Sequence, residues 1–187
     1  MTKRKILIIG AGGIGSFLIS FLDRIGLYNI TVFDPDKVEK KNITYQNFLE
    51  SDIGENKAKV MEKRYESVET GMPYAVLTIK QLQSYSLVIC CADNLDVRRL
   101  LYKSDIKWLD LRSQGRNAVL ISHEIDKNKM DTVLQGPEGS FSCQGGNWSG
   151  KQKDIHYTHT AVAGMATQWM QRWFNAEEVC DFKIINI

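Results

Sequence analysis

The chain has no C-x-x-C pair, no long apolar run, no internal repeat, no low-complexity tract and no Pro-rich linker. Each absence removes a class. The four cysteines, Cys90, Cys91, Cys143 and Cys180, lack the paired spacing of a structural zinc site, so no zinc is expected. Cys90 and Cys91 lie in the apolar run Leu87-Val-Ile-Cys-Cys91 and read as core. Without about 18 consecutive apolar residues there is no candidate membrane-spanning helix, and the first strand begins too early to leave room for a signal peptide. The N-x-S/T triplets at Asn42 and Asn147 carry no weight without secretion. With 24 basic residues against 22 acidic ones, and no basic cluster, neither nucleic acid nor an anionic membrane is expected as a partner. These readings place the chain in the reducing cytoplasm as a single domain over residues 1–187, large enough for a proper core.

What is present is an alternation of strand and helix. Ile6-Leu-Ile-Ile9 is a short all-apolar run, as a strand buried on both faces should be. It runs into Gly10-Ala-Gly12-Gly13-Ile-Gly15, and Ser16 to Ile25 follows with helical spacing of Phe17, Leu18, Phe21, Leu22 and Ile25. A glycine turn between strand and helix lets the backbone approach a phosphate, and the helix N-terminus supplies free N–H groups. Asp34 closes a second strand, Asn29 to Phe33, about 20 residues on, the place for a carboxylate that grips a ribose hydroxyl. A polar connection, Asp34 to Ile53, leads to a helix over Glu55 to about Ser67. Further strands are predicted at Ala75–Ile79, Ser86–Cys91 and Lys107–Leu111, with a helix at Leu95–Tyr102.

Beyond Arg116 the texture changes. Asn117–His123 and Lys129–Leu134 read as an antiparallel hairpin joined by the turn-prone Asp126-Lys-Asn-Lys129. The Gly- and Ser-rich stretch from Gly136 is predicted as a long mobile loop, about 136–157. Thr158–Phe174 is the last helix, its Met and Trp stripe suited to core or dimer contact, and Asp181–Ile187 a final edge strand. The predicted fold is α/β: a doubly wound, Rossmann-like, mostly parallel sheet with an antiparallel C-terminal extension.

The glycine turn and Asp34 alone fit NAD, FAD or ATP, or a turn that binds no nucleotide. What discriminates is the polar string after the second strand, Asp34-x-Asp36-x-Val38-x-x-x-Asn42-x-x-Tyr45-Gln46, then Lys57 near the next helix start, then Cys91-Ala-Asp93-Asn94-x-x-x-Arg98 after the fourth strand. At these points the chain resembles the ThiF/MoeB-type adenylating enzymes, the family that includes the adenylation domains of ubiquitin-activating enzymes. The likeness runs from about Lys5 to Arg99 and weakly through the terminal helix.

The resemblance implies a minimal adenylation domain using ATP and Mg2+ to activate a carboxylate, the C-terminus of a ubiquitin-like protein or a peptide, usually as a homodimer. It places Gly10, Gly12, Gly13 and Gly15 at the phosphates, Asp34 and Asp36 at the ribose end, and Asn42, Tyr45, Gln46 and Lys57 along the triphosphate. Asp93, beside Asn94, would hold magnesium, and Asp93, Lys57 and Gln46 would carry the chemistry. Asp93 also reads as a plain helix cap, and Arg98 as an internal partner for a carboxylate. Three departures stand out: Tyr45 replaces an arginine that binds the γ-phosphate, no helix precedes the first strand, and the zinc-binding C-x-x-C pairs are missing. Cys143 reads either as a catalytic acyl acceptor, its pKa lowered by His156 and His159, or as an incidental thiol. Two other readings stay open: a catalytically reduced nucleotide-binding half of a heterodimer, and an NAD-dependent oxidoreductase.

Overall fold

The computed structural model describes residues 2–71, 78–126, 128, 143–145, 148–151 and 154–187. Its centre is a seven-stranded sheet in the order β3-β2-β1-β4-β5-β6-β7. The strands are β1 (Arg4–Ile9), β2 (Tyr28–Phe33), β3 (Val68–Thr70), β4 (Leu87–Cys90), β5 (Trp108–Gln114), β6 (Asn117–Ser122) and β7 (Phe182–Asn186). β1 to β5 are parallel and β6 and β7 antiparallel. The helices are α1 (Gly13–Ile25), α2 (Lys57–Arg64), α3 (Ile79–Leu82), α4 (Leu95–Tyr102) and α5 (Thr158–Phe174).

The apolar runs dictate this layering. Ile6 and Ile8 on one side of β1 join the core under α1, α2 and α5, while Leu7 and Ile9 on the other join the core under α3 and α4. β1 is buried on both faces, as its uninterrupted hydrophobicity requires. Val162, Ala163, Ala166 and Met170 of α5 are fully buried against α1 and the sheet and Trp169 nearly so, while Met165 and Trp173 of the same stripe are half-buried.

Two predicted elements move. The third strand is Val68–Thr70, paired with β2, not Ala75–Ile79. Residues 75–77 lie outside the described set, whereas Thr78 caps α3 and Ile79 opens it. The hairpin partner of β6 is β5, through the turn at Gly115 (φ +58°), with β7 on its other side. The predicted strand Lys129–Leu134 lies outside the described residues.

β1 sits between β2 and β4, so the strand order reverses there, and the crevice at the carboxyl ends of these strands is the topological switch point. The glycine turn, Asp34 and Asp93 all follow strands that end in it.

Candidate nucleotide-binding site

Two glycines shape the turn after β1. Gly10 has φ +95°, and a side chain there would lie 2.9 Å from the Ala92 backbone nitrogen. A Cβ on Gly15 would lie 1.9 Å from the Gly10 carbonyl oxygen, so helix and turn close on each other only with glycine here. Gly12 is the N-cap of α1 and offers no side-chain cap. The first-turn amides of α1 therefore have no partner within the helix.

Asp34 stands at the end of β2, 6 % exposed. One carboxylate oxygen accepts the Ala11 amide at 2.6 Å and the other the Asp36 amide at 2.8 Å. The group thus ties the glycine turn to the next loop, and each oxygen keeps a lone pair for a further donor. Burial pushes its pKa up, with Lys57 and the two amides opposing the shift. Lys57 opens α2, is 7 % exposed, and its Nζ donates to Asp36 Oδ2 at 3.1 Å. Asn56 fixes this arrangement. Its side-chain oxygen accepts the Lys59 amide, and its Nδ2 donates to the carbonyls of Asp34 (2.8 Å) and Asp36 (3.1 Å). Sequence reasoning passed over Asn56, although Asn directly before a helix is the cap signal.

The polar loop between them is folded tightly. Asn42 is buried, and its Oδ1 accepts the Glu39 amide at 2.8 Å. Asn47 anchors the loop to α1 by donating its amide to the buried Ser16 hydroxyl at 3.0 Å. Gln46 Nε2 donates to the Tyr45 hydroxyl at 2.9 Å, while Gln46 Oε1, buried, has no partner among the described residues. The Tyr45 ring, 8 % exposed, meets Trp148 and His159 edge-on at centroid distances of 5.6 and 5.9 Å. The position of the absent arginine is thus an aromatic cluster. Among basic side chains that could stand in for that arginine (Lys41, Arg98, Arg112 and Arg116), Lys41 pairs with Glu39 at 3.0 Å, and Arg98 and Arg112 both grip the fully buried Asp110.

At the end of β4 the cap question resolves. Asn94, not Asp93, is the N-cap of α4, accepting the amides of Asp96 (2.8 Å) and Val97 (3.3 Å). Arg98 is structural as expected: Nε donates to Asp110 Oδ1 at 3.2 Å and Nη2 to the Ala92 carbonyl at 2.9 Å. Asp110, the hub of this network, also accepts from Arg112 and the Tyr102 hydroxyl. It was missed because an aspartate within a strand run offers no spacing signal.

Cys143 comes to the glycine turn from far along the chain. A side chain on Gly13 would lie 2.9 Å from the Cys143 sulfur, so the thiol fills the space over the first residue of α1. Burial and the Asp93 charge push its pKa up to about 11, against the opposing pull of backbone hydrogen bonds, among them Ile14 N–H, and of Lys57. This replaces the expected activation by His156 and His159. His159 is fully buried among Phe17, Tyr45 and Tyr157, and burial lowers its own pKa. Within the predicted mobile loop, residues 136–142, 146–147 and 152–153 lie outside the described set. Gln144, which sequence reading passed over, is 5 % exposed and bonds the His156 backbone in both directions, at 2.9 and 2.7 Å.

The structure thus brings Gly12, Gly13, Tyr45, Gln46 and Cys143 together at the start of α1, and ties Asp34, Asp36 and Lys57 to one another and to the same turn, with Asp93 in electrostatic reach of Cys143. Among the described residues no group of three or more His, Cys, Asp or Glu side chains is placed to hold a metal ion. No described helix is long and apolar enough to cross a membrane.

A sequence model described as the ThiF family matches residues 1–181. The NEDD8-activating enzyme E1 catalytic subunit of Caenorhabditis elegans is 34 % identical over 107 residues, covering 53 % of this chain and 25 % of its own length. The sulfur carrier protein adenylyltransferase of Thermus thermophilus is 26 % identical over 110 residues, covering 54 % of this chain and 41 % of its own. The chain therefore spans well under half the length of these relatives. Among solved structures, PaaA superposes with a TM-score of 0.68 at 17 % identity, covering 98 % of this chain and 61 % of PaaA. Escherichia coli MccB with ATP superposes with a TM-score of 0.64 at 18 % identity, covering 92 % of this chain and 56 % of MccB.

Proposed function

The chain belongs to the ThiF family, and on that premise we propose that it is an ATP-dependent adenylyltransferase that activates a carboxylate. The observation that carries this reading is the buried Lys57, paired with Asp36 in a loop that Asn56 ties to Asp34, whose carboxylate accepts an amide of the glycine turn. Lys57 is buried and already paired with Asp36, and a hydride-transfer site has no need of a lysine beside the phosphates.

In the proposed reaction a substrate carboxylate oxygen attacks the α-phosphorus of ATP, an acyl-adenylate forms, and pyrophosphate leaves with the electron pair of the broken P–O bond. Little covalent work falls to the protein, so positioning and charge stabilisation dominate. The first-turn amides of α1 bind phosphate oxygens. Asp34 holds a ribose hydroxyl with its remaining lone pairs. Lys57 offsets the charge that grows on the departing pyrophosphate, and Gln46, whose Nε2 keeps a second N–H beyond the one donated to Tyr45, orients the triphosphate. Asp93 suits Mg2+, which takes one or two carboxylates plus substrate phosphates. That ion would screen the triphosphate charge.

The substrate we propose is the C-terminus of a ubiquitin-like protein or a peptide. NEDD8-activating and sulfur carrier protein adenylyltransferase relatives, and the MccB structure with MccA, support that class. We further propose a cytoplasmic homodimer as the working form. Tyr45 favours a second reading, a subunit with reduced turnover, because it puts a neutral phenol where the family carries a cation. Calorimetric titration with Mg·ATP, and separately with NAD, tests the assignment. ATP binding with NAD silent, and carboxylate-dependent pyrophosphate exchange lost in Lys57→Ala, are the expected results. NAD binding alone would sink it, and ATP binding without exchange against any peptide or ubiquitin-like carboxylate would select the second reading.

A further inference from the structure

The turn that carries Asp93 is held from several directions. The Cys91 amide donates to the Ile9 carbonyl at 2.7 Å, which continues the pairing of β4 with β1 one residue past the strand. The glycine turn closes on it, since a Cβ on Gly10 would lie 2.9 Å from the Ala92 nitrogen and 3.1 Å from the Ala92 Cα. From α4, Arg98 Nη2 donates to the Ala92 carbonyl at 2.9 Å. That carbonyl belongs to the planar peptide unit whose other end is the Asp93 nitrogen. A bond to it therefore sets the tilt of the plane from which the Asp93 side chain departs.

The Arg98 guanidinium is itself held. Asp110, level with Cys90 across the β4–β5 pair and fully buried, accepts Arg98 Nε on its Oδ1 at 3.2 Å. Its Oδ2 serves other partners, Arg112 at 2.6 and 2.9 Å and the Tyr102 hydroxyl at 3.1 Å. Stability alone does not call for this arrangement. A buried ion pair recovers little beyond its desolvation cost, and apolar residues of similar volume often serve a fold as well or better. What the pair supplies that an apolar side chain cannot is direction: a planar guanidinium gripped at Nε presents Nη2 at a set place. Groups behind a metal-binding side chain orient it in this way, and their loss typically costs about 10- to 100-fold in metal affinity.

We propose that Arg98 and Asp110 are positioning residues for Asp93: Asp110 aims the Arg98 guanidinium, and Arg98 fixes the peptide that presents the Asp93 carboxylate to the metal ion of Mg·ATP. The inference rests on the proposed reading of Asp93 as the magnesium carboxylate of an ATP site. Because the two residues act through Asp93, their effect separates from a general contribution to the fold. A loosened Asp93 loses the metal-dependent share of ATP binding. The share carried by the glycine turn and Asp34 stays.

A double-mutant cycle on the full chain tests this, with ATP titrated calorimetrically in saturating Mg2+ and again in EDTA. The quantity read is the gain in affinity that Mg2+ confers, the ratio of the two Kd values. Arg98→Met, which removes the bonds to both Asp110 and the Ala92 carbonyl, should cut that gain about tenfold and leave the Kd in EDTA within about threefold of the parent. In Asp93→Ala the gain should already be lost, and adding Arg98→Met should then change neither Kd by more than about twofold. Should Arg98→Met not fold, Arg98→Lys takes its place: it keeps a cation beside Asp110 but lacks the fork, so the gain should fall there too. Equal weakening with and without Mg2+, or additive losses in the double variant, would make the pair a part of the fold alone and overturn the inference. A gain that survives in Asp93→Ala, or that the parent lacks, overturns it while leaving the nucleotide reading intact. No ATP binding by the parent in either condition overturns that reading and the inference with it.

Discussion

A methyl group at Gly15 would sit 1.9 Å from the Gly10 carbonyl oxygen, whereas one at Gly12 would meet nothing nearer than Gln46 Nε2 at 4.0 Å. The two glycines therefore answer to different demands, one to packing and one to the approach of a ligand. Gly15→Ala should destabilise the fold by about 3 kcal/mol, since backbone on backbone leaves no flexible side chain to give way. Urea denaturation reads this directly. Gly12→Ala should keep the parent's urea midpoint while weakening Mg·ATP binding. Lys57 separates the same two demands by chemistry. Its ammonium is buried against Asp36 and within Coulomb reach of Asp34. Lys57→Ala should lower pyrophosphate exchange by about 10²-fold, the loss typical of one preorganised donor to a developing charge. A loss under tenfold would place Lys57 in structure rather than catalysis.

At the scale of elements, α4 shows how much sequence can and cannot settle. Its bounds, Leu95–Tyr102, were legible from apolar spacing, and so were those of α5. Its cap was not, because Asp93 and Asn94 are adjacent and both residue types cap well. The structure gives the task to Asn94. Asn94→Ala should therefore lower stability by about 1 kcal/mol, and Asp93→Ala should leave the urea midpoint nearly unchanged while abolishing magnesium-dependent exchange. β3 was misplaced for a related reason. Val68-Glu-Thr70 is three residues long with one apolar side chain at the sheet edge, too short for any period to show. Arg98 was read correctly as an internal partner, but its aspartate, Asp110, emerged only when β5 was laid beside β4. Local periodicity encodes helices and buried strands; pairings across the sheet are encoded only by the assembled fold.

The whole molecule carries its buried titratable groups at opposite ends of the pH scale. On the acid side, burial holds His159 and His123 below their ordinary 6.5. As pH falls through 6.5 the unfolded chain takes up protons that the folded chain refuses, so stability present above that pH is lost below it. On the alkaline side, burial holds Cys143 up to about 11 and Cys90 up to about 12, against an ordinary 9.0. Between pH 9 and 11 the folded chain keeps protons that the unfolded chain releases, and stability falls as pH rises, by up to roughly 1.4 kcal/mol per pH unit for each group. The urea midpoint should thus be flat between about pH 6.5 and 9 and fall on both sides. His159→Phe should shallow the acid limb, and Cys143→Ala the alkaline one, each without touching the other. The two limbs also trace what sequence could not show. His159 and Cys143 lie far from Phe17 and Gly13 along the chain, yet the fold brings each pair into contact. An alkaline limb identical in Cys143→Ala and the parent would mean that the thiol is solvated rather than seated over the glycine turn.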